Sequence, residues 1–252
     1  MKIQQIRNAT VKVEMGGVTF LVDPWLQDKG TGFSADTIRP EMEGVKSPLV
    51  PLPLTPEEIL EGVDACLVTH VHPDHVTKDY LPLDLQMIAQ SKEDAEKLRQ
   101  MGFLEVSFFT EEEMSFGPVR ITRTKALHGD TPEAVERMGP ASGFVLEAEG
   151  EKTLYIAGDT VYFEGVSEVI GRFKPEVIIL NCCGATTPFG RLIMDAKEAQ
   201  LVCKDAPEAT VIASHLDAVN HATLTREEMR AYGKVHHLSR MVAVEDGEEL
   251  RF

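Results

Sequence analysis

The chain has 252 residues, 43% of them hydrophobic, which is enough to bury a full core and fits one α/β domain over residues 1–252. Its 41 acidic and 25 basic residues give a net charge of −16, which argues against nucleic acid as a partner because phosphate binding needs a basic footprint. No apolar run approaches the about 20 residues of a membrane span. Met1–Gln5 lacks the apolar stretch of a signal peptide, and the four cysteines show no CxxC spacing. The expectation is a cytoplasmic protein with reduced thiols and no membrane association.

Strand-like alternation opens the chain near 3–7, 10–14 and 18–22. A Gly/Pro-rich excursion then runs from Lys29 to Thr55, long for a connection in a compact domain. Thr55 is a natural N-cap for a short helix at Pro56–Leu60. The strand 64–69 delivers the run Thr69-His70-Val71-His72-Pro73-Asp74-His75. Next come a strand near 86–89 and a helix from Lys92 to Met101, with Ser91 as its N-cap and Asp94 three residues on. Strands near 105–109 and 118–124 lead to His128, in Leu127-His128-Gly129-Asp130. Strands near 142–148 and 152–157 form a hairpin through Ala148-Glu149-Gly150-Glu151, and the second ends in Gly158-Asp159. Helix 164–172, strand 176–181, helix 195–204, strand 209–214 and helix 225–234 complete the pattern, with His215 directly after the last strand.

Three histidines and a carboxylate within six positions are hard to explain by packing, since each buried ring nitrogen needs a partner. Imidazole nitrogen and carboxylate oxygen are ligands shared by zinc, manganese and iron(II). In an extended turn His70 and His72 point to one side and can share an ion. Asp74 and His75 follow Pro73, which bends the chain, and can face a second ion. One turn cannot complete two such sites. His128, Asp159 and His215 each lie at or just past the end of a strand, where α/β folds collect their chemistry, and supply the rest. A carboxylate so placed is suited to bridge two cations. The first half is rich in hairpins and the second alternates helix and strand. Two such halves, each bringing ligands to one edge, give a four-layer αβ/βα sandwich with metals between the sheets.

The run His70-x-His72-x-Asp74-His75, followed in order by His128, Asp159 and His215, resembles the metallo-β-lactamase superfamily. Val18–Pro24 is similar to the strand and Asp-Pro turn that precede its metal motif. Within it, the segments Asp23-Pro24-Trp25-Leu26, Pro51-Leu52-Pro53 and Ala157–Thr160 look most like the ascorbate-6-phosphate lactonase-like hydrolases. The resemblance implies two divalent ions, zinc or manganese. One would be held by His70, His72 and His128, the other by Asp74, His75 and His215, with Asp159 bridging. Water between the ions would be the nucleophile, with Asp74 as its proton acceptor or orienter. Asp23 would fix a ligand histidine by accepting its other N–H. The implied activity is a metal-dependent hydrolase acting on a small, anionic ester, lactone or phosphoester. The alternatives are an iron-bound oxidoreductase of the same fold and an inactive metal-binding member. Oxygen-reducing relatives typically carry Glu where this chain has His72, and inactive members usually lose ligands. Nuclease relatives generally carry an additional domain, for which this chain has no room, so the partner expected is a small molecule. Relatives are often homo-oligomers, which the acidic surface does not prevent.

For substrate contacts the chain offers candidates rather than motifs. Lys29–Thr55 borders the metal cleft in superfamily members, so it is expected either to form one wall of the pocket, with Arg39 or Lys78 meeting an anionic group, or to be a surface loop with an exposed Arg39. A second wall is expected from Thr160–Phe163 and Gly184–Arg191, which place Tyr162 and Arg191 near the site; Tyr162 either supplies a hydroxyl to a developing oxyanion or serves packing alone. His221 lies six positions after His215 and is a candidate for a substrate-facing acid, for a donor supporting a metal ligand, or for a helix cap.

Overall fold

Two sheets of seven strands face each other in the computed structural model, which describes residues 1–252. The first half supplies β1 (Lys2–Arg7), β2 (Thr10–Met15), β3 (Val18–Val22), β4 (Ala65–Val68), β5 (Gln86–Ala89) and β6 (Val106–Phe108). The second sheet is built from β7 (Glu113–Phe116), β8 (Val119–Lys125), β9 (Ser142–Glu147), β10 (Leu154–Ile156), β11 (Val177–Asn181), β14 (Thr210–Ser214) and β15 (Met241–Val242). β12 (Thr186–Thr187) and β13 (Gly190–Arg191) form a separate small ribbon, and β16 (Glu249–Arg251) returns to pair with β1. The helices are α1 (Pro56–Leu60), α2 (Lys92–Met101), α3 (Pro132–Met138), α4 (Glu164–Phe173), α5 (Ala196–Asp205) and α6 (Arg226–Val235). None is long and apolar enough to cross a membrane.

Side-chain alternation along the strands builds the layers. In β4, Ala65 and Leu67 point into the core between the sheets, while Cys66 and Val68 point outward beneath Ile59 of α1 and Ala95 and Leu98 of α2. In β11, Val177 and Ile179 enter the central core, while Ile178 and Leu180 pack toward Val166 of α4, Val202 of α5 and Met229 of α6. The result is helix, sheet, sheet, helix, the four-layer sandwich expected from the sequence. Strands buried on both faces read as continuous apolar runs, which is why β4, β11 and β14 stand out in the sequence.

Each sheet begins antiparallel and becomes parallel. β1, β2 and β3 form a meander, then β4, β5 and β6 add in parallel. β7 through β10 are antiparallel, including the expected hairpin with Leu146 opposite Leu154, and β11, β14 and β15 then add in parallel. The C-terminal ends of β4, β10, β11 and β14 therefore meet at one edge, between the sheets, and this edge holds the candidate ligands.

Some elements lie outside the sequence expectation. β7, β15 and β16 have only four, two and three residues, too few for an alternation to stand out in the sequence; each completes the edge of a neighbouring strand. Helix α3 had a readable start, Thr131 capping Ala134 N with Pro132 in the first turn. Its seven residues were too few to show a periodic face.

Candidate metal centre and the cavity above it

The turn after β4 brings His70, His72, Asp74 and His75 to the edge of the first sheet. His128 comes from the segment after β8, Asp159 from the turn after β10 and His215 from the end of β14. Gly158 makes the Asp159 turn possible. Its φ is +68°, and a Cβ there would collide with the carbonyl oxygen of Ser142. His215 itself has a φ of +63° and Asp23 of +45°, costly conformations for such residues that the surrounding hydrogen bonds hold in place.

Seven side chains converge. Asp159 Oδ2 lies 3.2 Å from His75 Nε2, 3.5 Å from His128 Nε2, and 4.0 Å from both His70 Nε2 and His215 Nε2. His70 Nε2 is 2.9 Å from His72 Nδ1, and Asp74 Oδ2 is 3.2 Å from His215 Nε2. The donors group into triads whose atoms lie within 4.8 Å of one another: His70, His72 and His128; His70, His75 and Asp159; Asp74, His75 and His215. The first and third match the two ligand sets implied by the sequence. Asp159 sits between them.

The outward nitrogen of every ligand histidine is occupied, which fixes the nitrogen that faces inward. His75 Nδ1 donates to Asp23 Oδ2 at 2.9 Å, His128 Nδ1 to the Leu192 carbonyl at 3.0 Å, and His72 Nε2 to the Met138 carbonyl at 3.0 Å. His70 Nδ1 meets Thr69 Oγ1 at 3.1 Å, and His215 Nδ1 meets Cys183 Sγ at 3.5 Å. Asp23 is held in turn by Thr69, whose backbone N–H and hydroxyl donate to it at 2.8 and 2.7 Å. Asn181 Nδ2 donates to Asp159 Oδ1 at 2.7 Å and leaves Oδ2 to the histidines.

The donor set fits metal. Two buried carboxylates, Asp74 and Asp159, have no Lys or Arg partner, and buried anions need a cation. His75 Nε2 is buried without a hydrogen-bond partner. Burial lowers the proton affinity of His70 and His128 and takes His72 to about 4, leaving lone pairs free to coordinate. Burial also acts against charge on His75, but Asp159, Asp23 and Asp74 outweigh it and raise the group to about 10; His215 is raised in the same way, by Cys183, Asp159 and Asp74. Burial pushes Asp74 and Asp159 up, yet the neighbouring histidines hold both well below the usual carboxylate range. The site attracts positive charge at the inward nitrogens, where ions would sit.

A cavity of about 310 Å³ opens above this cluster. Its floor is His72, Asp74, His128, Asp159 and His215; its walls include Phe33, Ala35, Met138, Ala185, Phe189 and Leu192, with His221 beside them. Phe33, Ala35 and exposed Asp36 come from the long 29–55 segment, which does form one wall. Four expected contacts do not reach it. Arg39 turns away to the Ala222 carbonyl at 2.8 Å and to Glu41 at 3.0 Å. Lys78 is exposed to solvent. Arg191 is held by Glu198 through two bonds of 2.7 Å, and the Tyr162 hydroxyl donates to Asp205 at 2.6 Å. Long polar side chains this close to carboxylates satisfy themselves locally. The cavity lining carries no Lys or Arg at all.

The structure also adds residues that the sequence did not single out. Asn8, in the turn between β1 and β2, donates from Nδ2 to the Asp74 carbonyl at 3.0 Å and lies 3.1 Å from His215 Nε2. Thr69, Asn181 and Cys183 hold ligands from behind. Asn181 closes an apolar strand just as Asp159 and His215 follow theirs, so its position was a usable signal; Asn8 reads as an ordinary turn residue.

Comparison with known proteins agrees with this geometry. The model of the β-lactamase superfamily domain matches residues 19–216, which contain all seven converging side chains. UPF0173 protein YddR of Bacillus subtilis is 39% identical over 258 residues, covering 100% of both chains. A UPF0173 metal-dependent hydrolase of Ruegeria sp. is 27% identical over 206 residues, covering 79% of this chain and 78% of its own. The crystal structure of an isothiocyanate hydrolase from Delia radicum gut bacteria superposes with a TM-score of 0.93 at 34% identity, covering 100% of this chain and 99% of that one. The chain belongs to the β-lactamase superfamily and, within it, to the UPF0173 family of metal-dependent hydrolases.

Proposed function

We propose that the protein is a dinuclear metal hydrolase that adds water to the electrophilic carbon of a small, uncharged substrate with an apolar substituent, of the isothiocyanate kind. The observation that carries this reading is the position of Asp159 Oδ2, within 4.0 Å of four inward-facing histidine nitrogens at the floor of an apolar cavity. His70, His72 and His128 would hold one ion, Asp74, His75 and His215 the other, and Asp159 both. Zinc or manganese suits these nitrogen and carboxylate donors. When bound, the pair supplies Lewis acidity and lowers the pKa of water toward neutrality.

The chain's own residues do the rest. Asp74 lines the cavity and can orient the attacking water or take its proton. The Phe33, Met138, Phe189 and Leu192 walls exclude bulk water and hold the apolar substituent, so that the reacting carbon faces the floor. For an isothiocyanate, R–N=C=S, water oxygen bonds to the carbon and its proton passes to nitrogen. The thiocarbamate so formed separates into R–NH₂ and carbonyl sulfide.

The likeness of Asp23–Leu26 and Ala157–Thr160 to lactonase-like hydrolases also favours a carbon centre over phosphorus. A sugar phosphate, however, would ask for a cation that these walls lack. The uncharged substrate therefore replaces the anionic one that Arg39 or Lys78 was expected to meet. The test is turnover by metal-loaded protein of benzyl isothiocyanate, a neutral lactone and a phosphodiester. Amine release from the isothiocyanate, lost in His70→Ala, supports the reading; hydrolysis of the phosphodiester alone sinks it.

A further inference from the structure

His221 carries an imidazole that the fold does not use. The residue is 6% exposed, and what is exposed lines the cavity. Its Nδ1 is sealed from solvent with no hydrogen-bond partner. The backbone around it is firmly anchored all the same. Thr186 N donates to the His221 carbonyl at 2.9 Å, and fully buried Asn220 exchanges two bonds with the Ala35 backbone, at 2.8 and 3.1 Å. Phe33 meets the ring edge-on, with centroids 6.4 Å apart. An imidazole held this firmly, with its polar atoms left idle, departs from the rule that buried polar groups are paired. Burial takes the ring to about 4, so it is neutral at pH 7. Placing its one proton on Nε2 leaves only a lone pair in the sealed position and gives the cavity an N–H donor.

We infer that His221 is a substrate-polarising residue: its Nε2–H donates a hydrogen bond to the heteroatom that gains negative charge as water adds to the neighbouring carbon. A fixed donor in a water-poor cavity stabilises developing charge without having to reorganise. The inference rests on the hydrolytic reading above, and it names the group that an apolar cavity otherwise lacks for orienting a polar reacting centre.

Two variants separate this role from packing. His221→Phe fills the ring's volume without a donor, and His221→Gln keeps an amide N–H. Benzylthiourea, a neutral thiocarbonyl compound, serves as the probe in calorimetry with metal-loaded protein. Loss of one hydrogen bond should weaken its binding about tenfold in His221→Phe, whereas His221→Gln should stay within about threefold of the parent. Metal content should be unchanged in both. Imidazole ¹⁵N spectra should show His221 protonated at Nε2 and shifted by the probe. If benzyl isothiocyanate is turned over, His221→Phe should lower kcat more than it alters KM. Equal affinity in His221→Phe, a ring protonated at Nδ1, or no binding by the parent protein overturns the proposal. Binding with this pattern but no turnover of isothiocyanate, lactone or ester leaves His221 as the donor and overturns the hydrolytic reading instead.

Discussion

At the scale of single residues, Asp159 is the position on which both ions of the proposed dinuclear site would depend. Asp159→Ala should cost about one metal equivalent or more per chain, since a bridging carboxylate serves both; elemental analysis of the purified variant decides this, and full metal content would refute the bridge. Residues behind the ligands matter nearly as much. Asn181→Leu frees Asp159 Oδ1 and Asp23→Ala removes the acceptor of His75 Nδ1, and each should weaken metal binding or activity by roughly 10–100-fold. Titration with a chelator measures it. The same groups give the metal-free protein a pH signature. His72 is lowered from 6.5 to about 4, so the folded state binds fewer protons than the unfolded one and stability is lost as pH falls through that window. His75 is raised from 6.5 to about 10, so its contribution is present below 6.5 and is lost as pH rises toward 10. The Tm of chelated protein should therefore peak between these arms. Metal-loaded protein should lack the alkaline arm, because its ligands are already deprotonated.

At the scale of elements, the 29–55 segment is an organised wall held from two directions. Arg7, fully buried and stacked 5.0 Å from Trp25, donates to the carbonyls of Trp25, Gln27 and Val50 and so ties the two ends of the segment together. Asn220 holds its middle through Ser34, Ala35 and Met42. Asn220→Ala leaves the Ala35 amide and carbonyl without these partners and should cost about 1–3 kcal/mol. It should also raise KM while metal content stays intact; thermal unfolding and proteolysis within 29–55 report on the two effects. This wall explains where the sequence stopped being informative. The candidate metal ligands are legible because their chemistry is local: a His-rich turn, and single His or Asp residues placed after apolar strands. The conformation of 29–55 depends on partners up to 186 residues away, as in the Ser34–Asn220 bond, and no local pattern encodes them. Arg39, Tyr162 and Arg191 were plausible contacts by position, but nearby carboxylates and a carbonyl capture their polar atoms.

At the scale of the molecule, the two sheets share one central core to which both contribute, Phe20 and Ile88 from one and Ile121 and Ile179 from the other. The candidate metal centre likewise joins side chains from both sheets. Unfolding should be a single cooperative transition, and chelation should lower its Tm without splitting it, since metal binds only the folded arrangement. Two separate transitions in calorimetry would show that the sheets fold independently. The layer order was readable because hairpins dominate the first half and helix–strand alternation the second. The short edge strands β15 and β16 were not, because they take their form from the strands they complete. The most direct measurement is metal content per chain by elemental analysis on gently purified protein, followed by turnover of benzyl isothiocyanate with the metal it contains. About two zinc or manganese ions per chain, with amine release that disappears in His70→Ala, is the predicted result. Bound iron with redox activity and no hydrolysis, or no metal even after reconstitution, would contradict it.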